Sequence, residues 1–126
     1  MRRSWIGLIL LLALLAGAVA VTVAMVRIHD PIEDSLNESA QLALAGDWQK
    51  AQVLFRRASE DWKTWEHFRA CFADHTPIED IDSSFRLLEI YCDAKENVAF
   101  AAESRRLARQ IAAVGEAHEF VWWNVF

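Results

Sequence analysis

Three residues near the middle of the chain have the types and spacing of a metal site. His67, Cys71 and His75 recur every four residues, so on one continuous helix they would share a face and could bind a transition metal. Two features oppose this interpretation. His75 lies just before Pro77, past the expected end of its helix, and Cys71 falls at the edge of an apolar face, where a thiol packs well. We therefore expect no bound metal and no cofactor.

The same segment offers the parts of a hydrolytic site. Cys71 with His67 or His75 could form a thiolate–imidazole pair, and Glu79 follows His75 by four residues. The sequence supplies no orienting group and no glycine-lined pocket for such a pair. We therefore expect no catalytic residues and no enzymatic activity. A metal-binding or hydrolytic domain built on these four residues is the alternative.

The two cysteines are not expected to pair with each other. If the chain turns near residues 75–76, Cys71 lies opposite about residue 80 of the next helix. Cys92 is then about 12 residues, or roughly 18 Å, further along that helix, whereas a disulfide needs a Cα separation below about 7 Å.

The N-terminal segment predicts a membrane anchor. Residues 6–26 carry no charge, and as a helix they would be about 32 Å long, close to the roughly 30 Å of a bilayer's hydrocarbon core. Arg2 and Arg3 precede the segment, and acidic residues accumulate after Arg27. This bias places residues 1–5 in the cytoplasm and the remaining domain outside, as a single-pass protein of the cell membrane. A signal peptide cleaved near residues 16–20 is the alternative, and it also exports the domain.

The exported part of the chain is acidic. Arg2, Arg3 and Arg27 are the only basic residues before Asp30, so the rest carries 10 basic and 18 acidic residues, a formal charge of −8. Nucleic-acid binding needs a basic surface and is therefore not expected.

Capping patterns and apolar periodicity predict an all-α fold. Asp30-Pro31-Ile32-Glu33 and Thr76-Pro77-Ile78-Glu79 resemble helix starts, and Gly46-Asp47 resembles a turn. The acids of the second start, Glu79, Asp80 and Asp82, could suggest a calcium site, but they also stabilise a helix N-terminus. The first helix should cover residues 31–45, and the second should cover residues 48–73. The second helix should have one apolar face through Trp48, Ala51, Phe55, Ala58, Trp62, Trp65 and Phe72, interrupted only by Arg69.

The stretch over residues 77–114 carries two apolar stripes rotated from each other by roughly 90°. Ile81, Phe85, Leu88 and Cys92 form one, and Phe100, Leu107, Ile111 and Val114 form the other. We favour a break near Asp93 over one long helix, with Gly115 as the end. The predicted fold is thus an N-terminal transmembrane helix followed by an antiparallel bundle of four helices, or three without the break, over residues 30–115. Because the first of these helices is predicted shorter than the second, we expect a bundle tilted against the bilayer.

The C-terminal tail, residues 116–126, ends in an apolar segment. Six of the last eight residues are apolar, and exposed to water such an end would promote aggregation. It could fold back onto the bundle, lie at the membrane interface, or dock on a partner. The interaction candidates in this tail are Phe120, Trp122, Trp123, Asn124 and Phe126.

Several short motifs together resemble a known family. They are Gly46-Asp47-Trp48 with Ala51, Trp65, Asp74-His75, Ile78-Glu79-Asp80-Ile81-Asp82, Leu88 with Tyr91, and the terminal Asn124-Val125-Phe126. Along nearly its whole length the chain resembles a family of short bacterial proteins known as domain of unknown function 4363. It departs from the family pattern at Thr76-Pro77 and at Trp122-Trp123.

The resemblance implies a helical membrane protein without an established activity, often encoded beside a family of multi-span membrane proteins. It marks His75, Glu79, Asp82 and the Asn-Val-Phe end as positions to test for interaction. The sequence as a whole predicts a membrane-anchored, extracytoplasmic accessory or interaction protein whose partner is another membrane protein. A secreted helical module after signal cleavage is a further alternative.

Overall fold

Four α-helices make up almost all of the described chain in the computed structural model. The structure describes the backbone of residues 2–67, 70 and 75–123 and the side chains of residues 4–67, 70 and 77–116. The helices are α1 (Arg2–Leu44), α2 (Trp48–Thr64), α3 (His75–Asp93) and α4 (Asn97–Trp123). In the antiparallel bundle α1 lies between α2 and α4, and α3 packs on α4. The expected all-α helical bundle is confirmed.

The predicted helix start at Asp30-Pro31 is wrong, because α1 is one unbroken helix of 43 residues with Pro31 inside it. A proline removes one main-chain hydrogen bond from a helix interior. The helix nevertheless continues, since Met25, Ile32 and Leu36 are fully buried on one face that extends past the proline. Pro31 lies on the exposed side, where its ring displaces no core residue. The apolar segment and the first bundle helix are therefore one element, and the bundle has four helices in all.

The first half of α1 is a candidate membrane span. By length and composition the stretch Ser4–Leu44 could cross a membrane, and its most apolar part has a mean hydropathy of 2.8 with no buried residue. A signal sequence would have the same properties.

The second helix is shorter than predicted. α2 ends at Thr64, and the next residue, Trp65, leaves the helix with φ −98° and ψ 13°. The predicted apolar face does hold over Ala51, Phe55 and Trp62, which are buried, whereas Trp65 is 41% exposed. From Pro31 to its end α1 is about 21 Å long, and α2 is about 26 Å long. The difference in length from which a tilted bundle was predicted is therefore smaller than expected, and the tilt stays a prediction.

The same turn ends both α1 and α3. After α1 the N–H of Gly46 donates to the carbonyl of Ala43, and the N–H of Asp47 donates to that of Leu42. This pair of bonds is the Schellman motif, in which the residue after the cap adopts a positive φ. Gly46 has a φ of +83°.

After α3 the corresponding donors are Lys95, bonded to Cys92, and Glu96, bonded to Tyr91. Lys95 adopts a φ of 53° without being glycine. The predicted break after Asp93 is confirmed, although no glycine or proline marks it.

A side-chain bond joins the two turns at the end of the bundle remote from the apolar segment. The indole Nε1 of Trp48, the first residue of α2, donates to Oδ1 of Asn97, the first residue of α4, over 2.8 Å. Trp48 also stacks edge-on against Phe100, with ring centroids 5.2 Å apart. Below them apolar side chains from all four helices form the core: Ile32, Leu36, Ala43, Ala51, Phe55, Ala58, Trp62, Ile81, Phe85, Leu88, Cys92, Phe100, Leu107, Ala108 and Ile111.

Gly115 does not end its helix as predicted, because α4 continues to Trp123. The glycine is buried where α4 approaches α1, and a Cβ built on it would lie 3.7 Å from Cβ of His29. A Cβ at that distance would make an ordinary van der Waals contact, so the position packs against α1 and does not end the helix. His29 itself is 2% exposed, and its Nδ1 donates to the main-chain oxygen of Met25 over 2.6 Å.

The two Schellman turns predict opposite effects of exchanging their central residues. Gly46→Ala should lower the free energy of unfolding by about 1 kcal/mol, because alanine is strained at positive φ. Lys95→Gly should raise it by up to about 1 kcal/mol, because glycine relieves that strain. Thermal unfolding in detergent measures both. Equal effects of the two substitutions would show that the turns do not share this backbone geometry.

Candidate functional site

A groove of ≈ 540 Å³ runs between α2 and α3, the one pair of neighbouring helices in the described bundle that does not close tightly. Large rings hold these helices apart: Phe85 lies 6.3 Å from Phe55 and 6.1 Å from Trp62, between ring centroids. On the other side of α2 the contact with α1 is close, since Oγ of Ser39 donates directly to the main-chain oxygen of Ala51 over 2.7 Å. The size of the side chains therefore determines that the α2–α3 interface is open and the α1–α2 interface is closed.

The groove has an apolar floor and a charged rim. Phe55, Trp62, Phe85 and Cys92 are the buried residues of its lining. The rim carries both signs of charge on each helix, from Arg56, Glu60 and Lys63 on α2, with Glu66 just after it, and from Asp82, Arg86, Glu89 and Asp93 on α3. Such a surface suits a segment with one apolar face and charged flanks.

Asp82 connects the two walls of the groove. The indole Nε1 of Trp62 donates to Oδ1 of Asp82 over 2.7 Å. Trp62 is 2% exposed, so its N–H needs an acceptor inside the protein. Asp82 was an interaction candidate from the family resemblance. The structure gives it the role of holding α3 against α2 at the floor of the groove.

Cys92 lies at the end of the groove near the second turn. It is a buried free thiol, and burial together with the neighbouring Asp93 carboxylate raises its pKa. A raised pKa keeps the sulfur protonated at neutral pH, and the protonated form is a poor nucleophile. Its packing in the core accounts for its position. Cys71, the other cysteine, lies outside the described residues.

The other predicted site residues are not brought together within the described part of the chain. His67 is exposed after the end of α2, and Glu79 is exposed in the first turns of α3. Among the residues described, no group of three or more His, Cys, Asp or Glu side chains could hold a metal ion. The predicted residues that lie outside the described side chains are Cys71, His75, Phe120, Trp122, Trp123, Asn124 and Phe126; α3 begins at the backbone of His75, and α4 includes that of residues 120–123.

Arg106 makes a contact between α3 and α4 that sequence reasoning missed. Its Nη2 donates to Oγ of the buried Ser84 over 2.8 Å, and it forms an ion pair with Glu103 one turn earlier. The hydrogen bond from Arg106 lowers the pKa of Glu103, and the same bond raises the pKa of Arg106. An i,i+3 pair of opposite charge was visible in the sequence, but the serine across the helix interface was not.

The end of the bundle nearest the apolar segment is acidic. Partial burial raises the pKa of Glu33, and the carboxylates of Asp30, Asp34 and Glu116 raise it further. Asp30 and Asp34 lie on α1 with Glu33, whereas Glu116 belongs to α4, so the repulsion between Glu33 and Glu116 acts between the two helices.

A family model described as Domain of unknown function (DUF4363) matches residues 19–125. The chain belongs to the DUF4363 family. The match begins inside the apolar part of α1 and extends through the whole DUF4363 bundle, which confirms the resemblance seen in the short motifs. No curated protein and no solved structure matches the chain.

The bond between Trp62 and Asp82 predicts a graded loss of stability. Asp82→Ala leaves a buried indole N–H without its acceptor and should lower the free energy of unfolding by about 1–3 kcal/mol. Asp82→Asn retains an oxygen acceptor and should lose less than half as much. Thermal or denaturant unfolding of the two variants in detergent gives the comparison. If both variants are as stable as wild type, the bond does not hold the groove together.

Proposed function

We propose that this protein is a membrane-anchored, extracytoplasmic interaction protein without enzymatic activity, and that it presents the groove between α2 and α3 to another membrane protein. The observation that carries the proposal is the groove itself. The groove is open, and aromatic side chains form its floor. It belongs to a bundle whose first helix also contains the apolar segment.

The exposure pattern of α1 supports the anchor. Every side chain of residues 4–17 is exposed, and this stretch includes Ile6, Leu10 and Leu14, each more than half exposed. Water would solvate such a surface poorly, and a bilayer provides the matching environment. The two arginines at positions 2 and 3 favour a cytoplasmic N-terminus and an exported bundle.

The continuity of α1 favours an uncleaved anchor over a signal peptide. The residues that suit a signal peptidase, 16–20, lie within the helix. The face that enters the bundle already begins there, since Ala18, Val21 and Thr22 are partly buried and Met25 is fully buried. Cleavage would cut the element on which the bundle is built.

The dimensions of the groove suit a helix as its occupant. Its α3 wall extends from Ile78 to Asp93, which is about 22 Å along the helix axis. An amphipathic helix of about four turns could place its apolar face on Phe55 and Phe85 and its charges against the rim. The absence of basic excess in the bundle gives no support to a nucleic-acid partner.

The groove offers little support for catalysis. Its aspartate at position 82 accepts the hydrogen bond of Trp62, and its cysteine is a protonated core thiol by the pKa argument above. The remaining rim carboxylates and cations are those of a solvated interaction surface.

Two neighbouring arginines allow a matched test of the groove. Arg56 lines the rim, whereas Arg57 is also exposed on the same helix but does not line the groove. The full-length protein, extracted from membranes with its partners, should lose about tenfold in partner recovery on Arg56→Glu and little on Arg57→Glu; a tenfold loss corresponds to about 1.4 kcal/mol. Ser59→Trp, which fills the groove, should act like Arg56→Glu.

Circular dichroism and thermal unfolding provide the control that the variants remain folded. Equal recovery of the same membrane proteins by wild type, Arg56→Glu and Ser59→Trp would contradict a role for the groove. An equal loss on Arg57→Glu would show that net charge, and not the groove, determines the association.

A further inference from the structure

The register of α4 against α1 is fixed at both ends of the bundle. At the remote end Asn97, the first residue of α4, bonds to Trp48, which follows α1 after its turn. At the other end the buried Gly115 packs against His29 of α1. The two helices are antiparallel, and their contacts are the most extensive between any pair of helices in the described bundle.

This register brings the end of α4 to the level of the apolar segment. α4 remains helical to Trp123, eight residues beyond Gly115, which is about 12 Å further along the axis. By the same spacing Trp123 is level with Val21 of α1. The uncharged stretch of α1 extends to residue 26, and Arg27 follows it. The last turn of α4 therefore lies about 9 Å past Arg27, on the side of the apolar segment.

The exposure of α1 changes at the level that α4 reaches. Side chains are exposed throughout residues 4–17, whereas Ala18, Val21 and Thr22 are partly buried and Met25 is fully buried. Their spacing of three and four residues defines one helical face, continuous with the face that packs in the bundle. α4 is the helix that follows this face of α1 from Gly115 onwards, so the apolar segment of α1 has a second helix beside it where it enters the bundle.

The residue types at this level are those of a membrane interface. The sequence of α4 from residue 120 to 123 is Phe-Val-Trp-Trp, without charge. Trp65, at the end of α2, is 41% exposed and lines the same small cavity as Arg27 and Ala24. Tryptophan favours the headgroup level of a bilayer, where its ring is apolar and its N–H finds a polar partner. Two helix ends thus bring tryptophans to the level marked by Arg27.

We propose that the last turn of α4, residues 120–123, inserts beside α1 into the headgroup and outer acyl region of the bilayer. This inference rests on the membrane anchoring proposed above. The protein then contacts the membrane at two places, a span in α1 and an interfacial helix end in α4.

Tryptophan quenching by brominated lipids tests the depth of this helix end. The full chain is reconstituted into phosphatidylcholine vesicles whose acyl chains carry bromine near the headgroup. In the W5F/W65F variant the remaining tryptophans are Trp48 and Trp62 in the bundle and Trp122 and Trp123 in α4. We expect clear quenching of this variant. After the further substitutions W122F and W123F the quenching should fall to the small level of the bundle tryptophans.

Trp5, at the start of the candidate span, separates failure of this inference from failure of the anchor. In W65F/W122F/W123F, quenching of Trp5 reports the span alone. Quenched Trp5 with unquenched Trp122 and Trp123 would overturn the interfacial helix end and leave the anchor in place; acrylamide would then show whether the two rings face water or protein. Unquenched Trp5 would overturn the anchor, and the inference with it.

Discussion

The buried face of α1 from Met25 through Ile32 and Leu36 to Ala43 is the constraint on which the rest of the structure depends. This face receives α2 on one side and α4 on the other, and both helices are long enough to follow it to its end. Burial of four apolar side chains stabilises the helix by several kcal/mol, which exceeds the roughly 3 kcal/mol that an internal proline costs. For that reason α1 continues through Pro31, and one helix contains both the apolar segment and the part of α1 that packs in the bundle.

The groove and the membrane end both follow from this arrangement. α1 packs against α2 and α4, whereas α2 and α3 meet through the rings of Phe55, Trp62 and Phe85 and the hydrogen bond from Trp62 to Asp82, and the groove between them stays open. The backbone of α4 also extends to the level of the apolar segment of α1, and Trp65 lines a small cavity with Arg27 near the same level. With the apolar segment anchored as proposed, a partner bound in the groove would be held within about 25 Å of the bilayer.

The sequence was a reliable guide wherever one helix face decides the structure. The stripes through Phe55 and Trp62 and through Phe85 and Leu88 are core, and the rotation between stripes located the break after Asp93. Predictions failed where local signals compete with tertiary packing. The capping pattern at Asp30 starts no new helix, because the buried face of α1 continues through it. Gly115 does not end α4, because it packs inside the helix against His29 of α1. The site was harder to predict, because an acceptor such as Asp82 is defined by the indole across the groove, and its sequence context resembles an ordinary helix start.

The apolar segment and the bundle share one continuous helix, and a distance measured between Leu12 and Leu44, on either side of Pro31, tests this continuity. Spin labels at Leu12 and Leu44, both exposed, would be introduced with Cys71 and Cys92 replaced by serine and alanine, and the full chain placed in a lipid nanodisc. An unbroken helix separates the two positions by about 48 Å. Pulsed dipolar spectroscopy should therefore give one narrow distribution near that distance. A broad distribution, or one shorter by about 10 Å or more, would show that α1 is not continuous and that the helix breaks at Asp30-Pro31.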